Sequence, residues 1–204
     1  MKKPPLGILI SGHGSNLQAI IDAIETGFLS AKIACVVSNK KEAYGLKRAE
    51  KHRIPTHVIR HQDYPSREAF EKALIQVFDP YKIELVILAG FMRVLTPQFI
   101  RHYPHRIMNI HPALLPSFPG VEAIQQAYDY GVKVTGVTVH LIDEGTDTGP
   151  IILQTTVPLK PDDTLESLTE RVHAVEHKLY PQAIQLFAEE RLEIQGRKVL
   201  IKDS

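Results

Sequence analysis

The amino-acid sequence predicts the α/β class: a mostly parallel twisted sheet flanked by helices, with an antiparallel part toward the C-terminus. Three observations lead there. Short continuous apolar runs alternate with helical patterns over the first 110 residues, the pattern of βαβ units with strands buried on both faces. The first run, ILISGHGSNLQAI, passes through two glycines directly into a helical pattern. Beyond residue 133 the pattern turns to strict alternation, which marks a strand with one face in the core and one in water.

Each element follows in order. Residues 6–11 read as a strand, and 15–25 as a helix with Leu17, Ile20, Ile21 and Ile24 on one stripe. Ser15 and Gln18 have the spacing of a capping box, which places the helix start at Ser15. Residues 32–38 are a strand, 43–53 a helix and 56–60 a strand. Residues 66–78 form a helix, 84–90 (ELVILAG) an apolar strand, 97–102 a short helix and 106–110 a strand. Residues 109–120 carry Pro112, Pro116 and Pro119 and read as a loop, followed by a helix over 121–130. In the strand 134–142, Val137, Val139 and Leu141 face the core, while Thr138 and His140 face outward. A turn-rich loop, 143–150, joins it to a strand over 151–157. Leu165, Leu168, Val172, Val175 and Leu179 recur at helical spacing, and Pro181 is expected to end or kink that helix. Residues 191–201 read as a small hairpin, and no linker divides the chain.

Composition narrows the function classes. With 24 basic and 23 acidic residues among 204, the chain has no basic footprint for nucleic acid. The N-terminal apolar run is too short for a signal peptide, and no segment approaches the ~20 apolar residues that span a bilayer. The single cysteine, Cys35, lies in an apolar run and reads as core, which fits a reducing cytoplasm. A soluble cytoplasmic protein is expected, without membrane or nucleic-acid partners.

The first turn suits an anion. Gly12 and Gly14 let a ligand approach the backbone, and the following helix presents amide N–H groups of the kind that hold phosphate. A dinucleotide fingerprint is not met, because Leu17 stands at the third glycine position and the second strand ends in Ser38-Asn39-Lys40. The G-K-[ST] of a nucleoside-triphosphate loop is missing as well. A single phosphate fits better, and a plain tight turn is the bland alternative.

Chemistry concentrates in two later loops. Asn109 and His111 stand two apart at a strand end, where ligands bind in open α/β sheets. Asp147 lies in DEGTDTGP after another strand. Together they form an acyl-transfer set: His moves protons, Asn donates to a developing oxyanion, and Asp orients the imidazole and raises its pKa. No serine or cysteine is obviously activated, so direct attack by a substrate amine is easier to draw than an acyl-enzyme.

Four motifs, GHGSNLQAI, AGFMRVL, NIHPALLP and GVTVHLIDEGTDTGPII, resemble those of the phosphoribosylglycinamide formyltransferases, folate-dependent enzymes of purine synthesis. The resemblance runs from about residue 6 to 190. It implies a Rossmann-like formyltransferase fold in one domain over 1–204. Residues 1–110 would be the nucleotide-phosphate half, 111–190 the folate and catalytic half, and 191–204 a hairpin or tail. It implies that Gly14, Ser15 and Asn16 bind the phosphate of glycinamide ribonucleotide and that Glu176 approaches its amine. It implies that Arg67, Met92, Arg93, Val94, Leu95 and Asn109 contact 10-formyltetrahydrofolate as co-substrate, and that Asp143, Glu144, Gly145, Thr146 and Asp147 line the pteridine pocket. Asn109, His111 and Asp147 would be catalytic without a metal, in a monomer or homodimer. The Leu115–Pro116 bond would be cis.

Some features depart from the resemblance or compete with it. Many relatives have His where Glu122 stands, two residues after Gly120, and Glu122 would repel an anion. His13 either adds charge beside the phosphate or faces water. His173, Glu176 and His177 form H-x-x-E-H, a zinc-protease spacing, but no third ligand stands out downstream. Methionyl-tRNA formyltransferases carry a further domain and a basic surface, which this sequence is expected to lack. Formyltetrahydrofolate deformylases hydrolyse the same cofactor and usually carry a second His after the catalytic one, where Pro112 stands here. They are the nearest alternative, and a phosphate-ligand sensor is a remote one. Lys47, Arg48, Lys51 and Arg53 read as a wet helix face, Tyr128 and Tyr130 as packing, and Arg93 as an ordinary charge past a buried strand.

Overall fold

A computed structural model describes residues 3–203, which divide into two compact units after Asn109. In the first unit the strands are β1 (Pro5–Ile10), β2 (Lys32–Ser38), β3 (Thr56–Val58), β4 (Leu85–Leu88) and β5 (Ile107–His111), the last running through the boundary. Their order is β3-β2-β1-β4-β5, and every neighbouring pair is parallel. Parallel neighbours need crossover connections. These are supplied by helices α1 (Ser15–Glu25), α2 (Tyr44–Lys51), α3 (Arg67–Phe78) and α4 (Pro97–His102). The apolar runs Leu6, Ile8, Leu9, Ile10 and Leu85 to Leu88 are buried on both faces, as continuous rather than alternating hydrophobicity requires. Cys35 is fully buried in β2, and burial pushes its thiol up to about 12. The strand order reverses between β1 and β4, so the loops leaving these two strands flank a topological switch point, the usual ligand crevice of such sheets.

The second unit holds α5 (Ala123–Tyr130), β6 (Val134–Leu141), β7 (Ile151–Pro158), α6 (Leu165–Ala188), β8 (Leu192–Gln195) and β9 (Lys198–Ile201). β6 and β7 pair antiparallel, β9 adds to β7 in parallel through Ile151 and Lys198, and β8 pairs antiparallel with β9. The apolar stripe of α6, with Leu168, Val172, Leu179 and Ile184 buried, packs on β6 and β7. The chain is thus mixed α/β, mostly parallel at first and antiparallel toward its C-terminus. The Leu115–Pro116 peptide is cis. No helix among the described residues is long and apolar enough to cross a membrane.

Four local expectations are corrected. Ser15 does not cap α1; Gly14 does, in the left-handed region at φ 74°, with no side-chain bond. β6 is not half-exposed, because Thr135 to Leu141 are buried on both faces. Pro181 does not end α6, which continues to Ala188. An interior proline costs about 3 kcal/mol of helix propensity. Here the buried neighbours Leu179, Tyr180, Ala183 and Ile184 hold the helix against its partners. The loop expected from Asn109 begins later, since β5 keeps its ladder to His111.

Candidate active site

The turn after β1 is built by close approach of backbone to backbone. A Cβ at Gly14 would lie 2.7 Å from the Gly45 Cα at the start of α2, and the Gly45 N–H donates to the Gly12 carbonyl at 3.1 Å. Gly14 is therefore glycine for conformation and packing, while Gly12 faces open space. Ser15 is half-buried and Asn16 buried in the first turn of α1, whose leading amides have no intrahelical acceptor by geometry. Arg48 is not part of a wet face. Its Nε donates to the His13 carbonyl at 3.0 Å, and its guanidinium lies 5.0 Å from the Tyr44 ring, on which His13 stacks at 5.3 Å. His13 is thereby fixed, and a permanent cation is set beside the turn.

Ser11 was not singled out in the sequence. Its buried hydroxyl donates to Asn39 Oδ1 at 2.7 Å and accepts from the Met92 N–H at 2.9 Å. It thus ties the ends of β1 and β2 to the loop after β4. In that loop Met92 and Val94 are exposed, Arg93 is half-buried and Leu95 is buried. The loop's far end is held by Glu71 of α3, whose buried carboxylate accepts from the Thr96 N–H at 2.8 Å and from the Thr96 hydroxyl. Burial raises the Glu71 carboxyl, outweighing those two bonds and the charge of Arg67. Arg67 itself is exposed as the first residue of α3, after the Ser66 cap.

The second unit brings three imidazole and carboxylate groups together. His111 is buried at the end of β5, with Nε2 2.7 Å from the Phe118 carbonyl. A carbonyl only accepts, so Nε2 carries a proton and Nδ1 is the basic nitrogen of the neutral ring. Asp147 Oδ2 lies 3.5 Å from His111 Nδ1, and Oδ1 lies 3.6 Å from His140 Nε2. The Gly120 N–H donates to Asp147 Oδ2 at 2.8 Å. Asp147 adopts φ 53°, a left-handed conformation that aspartate tolerates better than most residues. His140 was expected to face outward; instead it is fully buried and its Nδ1–H donates to the Leu141 carbonyl at 3.0 Å. Its position on β6, directly before the turn-rich loop, was the available signal.

The electrostatics follow from this packing. Burial lowers the His111 pKa below 6.5, against the Phe118 carbonyl and the Asp147 charge, which both raise it. Burial works to raise the Asp147 carboxyl, but the His140 ring, the Gly120 amide and His111 together take it below 3.8. The resting pair is therefore a neutral imidazole beside a carboxylate.

Neighbouring groups hold this arrangement. The buried Thr138 hydroxyl donates to the Ala113 carbonyl at 2.7 Å and accepts from the Leu115 N–H at 3.1 Å, pinning the proline loop to β6. Asp143 Oδ1 accepts from the Gly145 N–H at 3.1 Å and the Thr148 hydroxyl at 2.6 Å, so it staples its own loop; Glu144, Gly145 and Thr146 are exposed. Asn109 is half-buried on β5, in register with Leu88. Glu176 is buried on α6, 3.9 Å from His173, while the His173 and His177 rings stack at 6.4 Å rather than converging on a point. Among the described residues no group of three or more His, Cys, Asp or Glu could hold a metal ion. Glu122 is exposed and caps α5 at φ 56° without a side-chain bond. Tyr130 is 80% exposed and touches Phe118 edge-on, so it is not core packing.

Known proteins share this architecture. The formyl transferase family model matches residues 6–184. The phosphoribosylglycinamide formyltransferase of Escherichia coli is 45% identical over 92% of this chain and 88% of its own length. The trifunctional purine biosynthetic protein adenosine-3 of Bos taurus is 50% identical over 92% of this chain, which spans only 18% of that protein. The crystal structure of glycinamide ribonucleotide transformylase 1 from Symbiobacterium toebii superposes with a TM-score of 0.96 at 48% identity, covering 98% of this chain and 95% of that one. By family match, sequence and structure alike, the chain belongs to the formyl transferase family.

Proposed function

We propose that the protein transfers the formyl group of 10-formyltetrahydrofolate to the amine of 5-phosphoribosylglycinamide, acting as one domain. The observation that carries this reading is the buried His111–Asp147–His140 arrangement in a chain 45% identical to a bacterial phosphoribosylglycinamide formyltransferase. In this reading the turn with Gly14, Ser15 and Asn16 takes the phosphate, with Arg48 adding positive charge, and Glu176 approaches the amine. Arg67, residues 92–95 and Asn109 take the folate, with Asp143, Glu144, Gly145, Thr146 and Asp147 around its pteridine.

The amine nitrogen attacks the formyl carbon and the carbonyl pair moves onto oxygen. Asn109 donates to that oxyanion. His111 Nε2–H already donates to a carbonyl oxygen, that of Phe118, and the formyl oxygen replaces it as acceptor. As negative charge grows, the ring takes up a proton from solvent at Nδ1, and Asp147 stabilises the resulting imidazolium. A proton leaves the attacking amine and reaches the folate nitrogen through His111 or water, as the carbon–nitrogen bond to the folate breaks. The products are formylated ribonucleotide and tetrahydrofolate.

Replacing His111 by Ala, or Asp147 by Asn, is expected to lower kcat by roughly 10²–10⁴, the usual weight of general acid–base groups. Ribonucleotide affinity, measured by calorimetry, stays unchanged in both. Full activity in His111→Ala would defeat the assignment. Formate release without the ribonucleotide would instead mark a deformylase.

A further inference from the structure

The C-terminal hairpin reaches the loop that carries Asp147. Arg197, in the turn between β8 and β9, donates from Nη2 to the Thr148 carbonyl at 2.7 Å. The hairpin is placed for this by pairing of Lys198 with Ile151, next to the loop's exit at Pro150. Its base is closed by Arg191, which donates from Nε to the Lys202 carbonyl at 2.7 Å and accepts from the Lys202 N–H at 2.9 Å. Thr148 is then held at both ends: its hydroxyl by Asp143, its carbonyl by Arg197. Asp147 lies immediately before it in a left-handed conformation, which persists only where neighbours over-determine it. Residues 185–204, including this hairpin, fall outside the stretch matched by the family model.

We propose that Arg197 is a positioning residue for the reaction: by holding the Thr148 carbonyl it keeps the Asp147 carboxylate between His111 and His140. It touches neither substrate. The proposal rests on the reading that His111 and Asp147 carry the chemistry, and it extends that reading to the segment past the matched stretch. Without the tether, the peptide between Thr148 and Gly149 is free to rotate, the turn that Asp147 leads into loosens, and the carboxylate leaves the two rings.

The test uses the full chain with Arg197→Met, which keeps the aliphatic stem and removes the donors, and Arg197→Lys, which restores one. Two readouts are taken: steady-state turnover, and the pH titration of the His111 ring by NMR. Arg197→Met is expected to lower kcat about tenfold, since a displacement of order 1 Å in a catalytic group can cost up to about 10²-fold. KM for the ribonucleotide stays unchanged and Arg197→Lys recovers part of the loss. The His111 titration moves to lower pH, because the Asp147 charge that raises it is withdrawn. Wild-type kcat with an unmoved His111 titration overturns the proposal, even if Tm falls. Failure of the functional reading looks different: His111→Ala would remain active, while the His111 titration in Arg197→Met would still report on the tether.

Discussion

Replacing Gly14 by alanine tests whether the first turn is shaped by packing or by its ligand. Two costs combine. The residue sits at φ 74°, where an L side chain loses roughly 1–2 kcal/mol. Its new methyl would stand 2.7 Å from the Gly45 Cα, a backbone atom that cannot swing aside. Gly45 is itself bonded to the Gly12 carbonyl, so relief requires moving α2 off the turn, a strain of about 1–3 kcal/mol by analogy with overpacked cores. The sum is roughly 2–5 kcal/mol. For a chain of this size that lowers Tm by about 4–20 °C, at 2–4 °C per kcal/mol. Gly12→Ala is the matching control: its methyl meets nothing within 4 Å, so Tm should stay within about 1 °C. If a phosphate occupies that open space, the same methyl weakens ribonucleotide binding. Thermal unfolding by calorimetry gives the first quantity and titration with the ribonucleotide the second. A Gly14→Ala protein that melts with wild type, or a Gly12→Ala protein that melts as low as Gly14→Ala, would refute the reasoning.

Other expectations follow from the second unit. Thr138→Val keeps shape but strands the Leu115 amide and the Ala113 carbonyl, each costing about 1–3 kcal/mol when buried; chemical denaturation should show a loss of roughly 2–6 kcal/mol. Stability should also fall on acidification in two windows. The folded His111 pKa lies below 6.5, so the unfolded chain binds more protons there and stability drops as pH falls through 6.5 toward the folded value. The folded Asp147 pKa lies below 3.8, so its contribution is present above 3.8 and lost as pH falls through the folded value. Denaturant midpoints measured against pH should lose the first window in His111→Gln; a wild-type profile in that variant would contradict the burial argument.

Much of this was legible in the sequence because burial on both faces leaves a continuous apolar trace. β2 and α4 match their expected bounds, and the ELVILAG run holds β4. What was missed depends on contacts distant along the chain. Ser15 has the local chemistry of a cap, yet the approach of Gly45 forces the left-handed residue to Gly14. Thr138 and His140 alternate with valines as if facing water. They are buried because their polar atoms meet the proline loop, the Leu141 carbonyl and Asp147. Arg48 resembled any solvated helix charge until the His13 carbonyl and the Tyr44 ring came within reach. Of the candidate site, Asn109, His111 and Asp147 stood out because each falls at a strand end or in a turn-rich loop. Ser11, Glu71 and Arg197 did not, since single polar residues carry no pattern until partners 25 to 81 positions away are known, and His140 did not because its alternation with valines reads as outward-facing.

Formyl transfer between two small molecules is read out by a turnover assay. The protein is incubated with 10-formyltetrahydrofolate, with and without glycinamide ribonucleotide, and both folate and ribonucleotide products are quantified. Folate deformylation is expected only with the ribonucleotide present, matched mole for mole by formylated ribonucleotide. Formate released equally in both tubes, or no consumption in either by folded protein, would contradict formyl transfer.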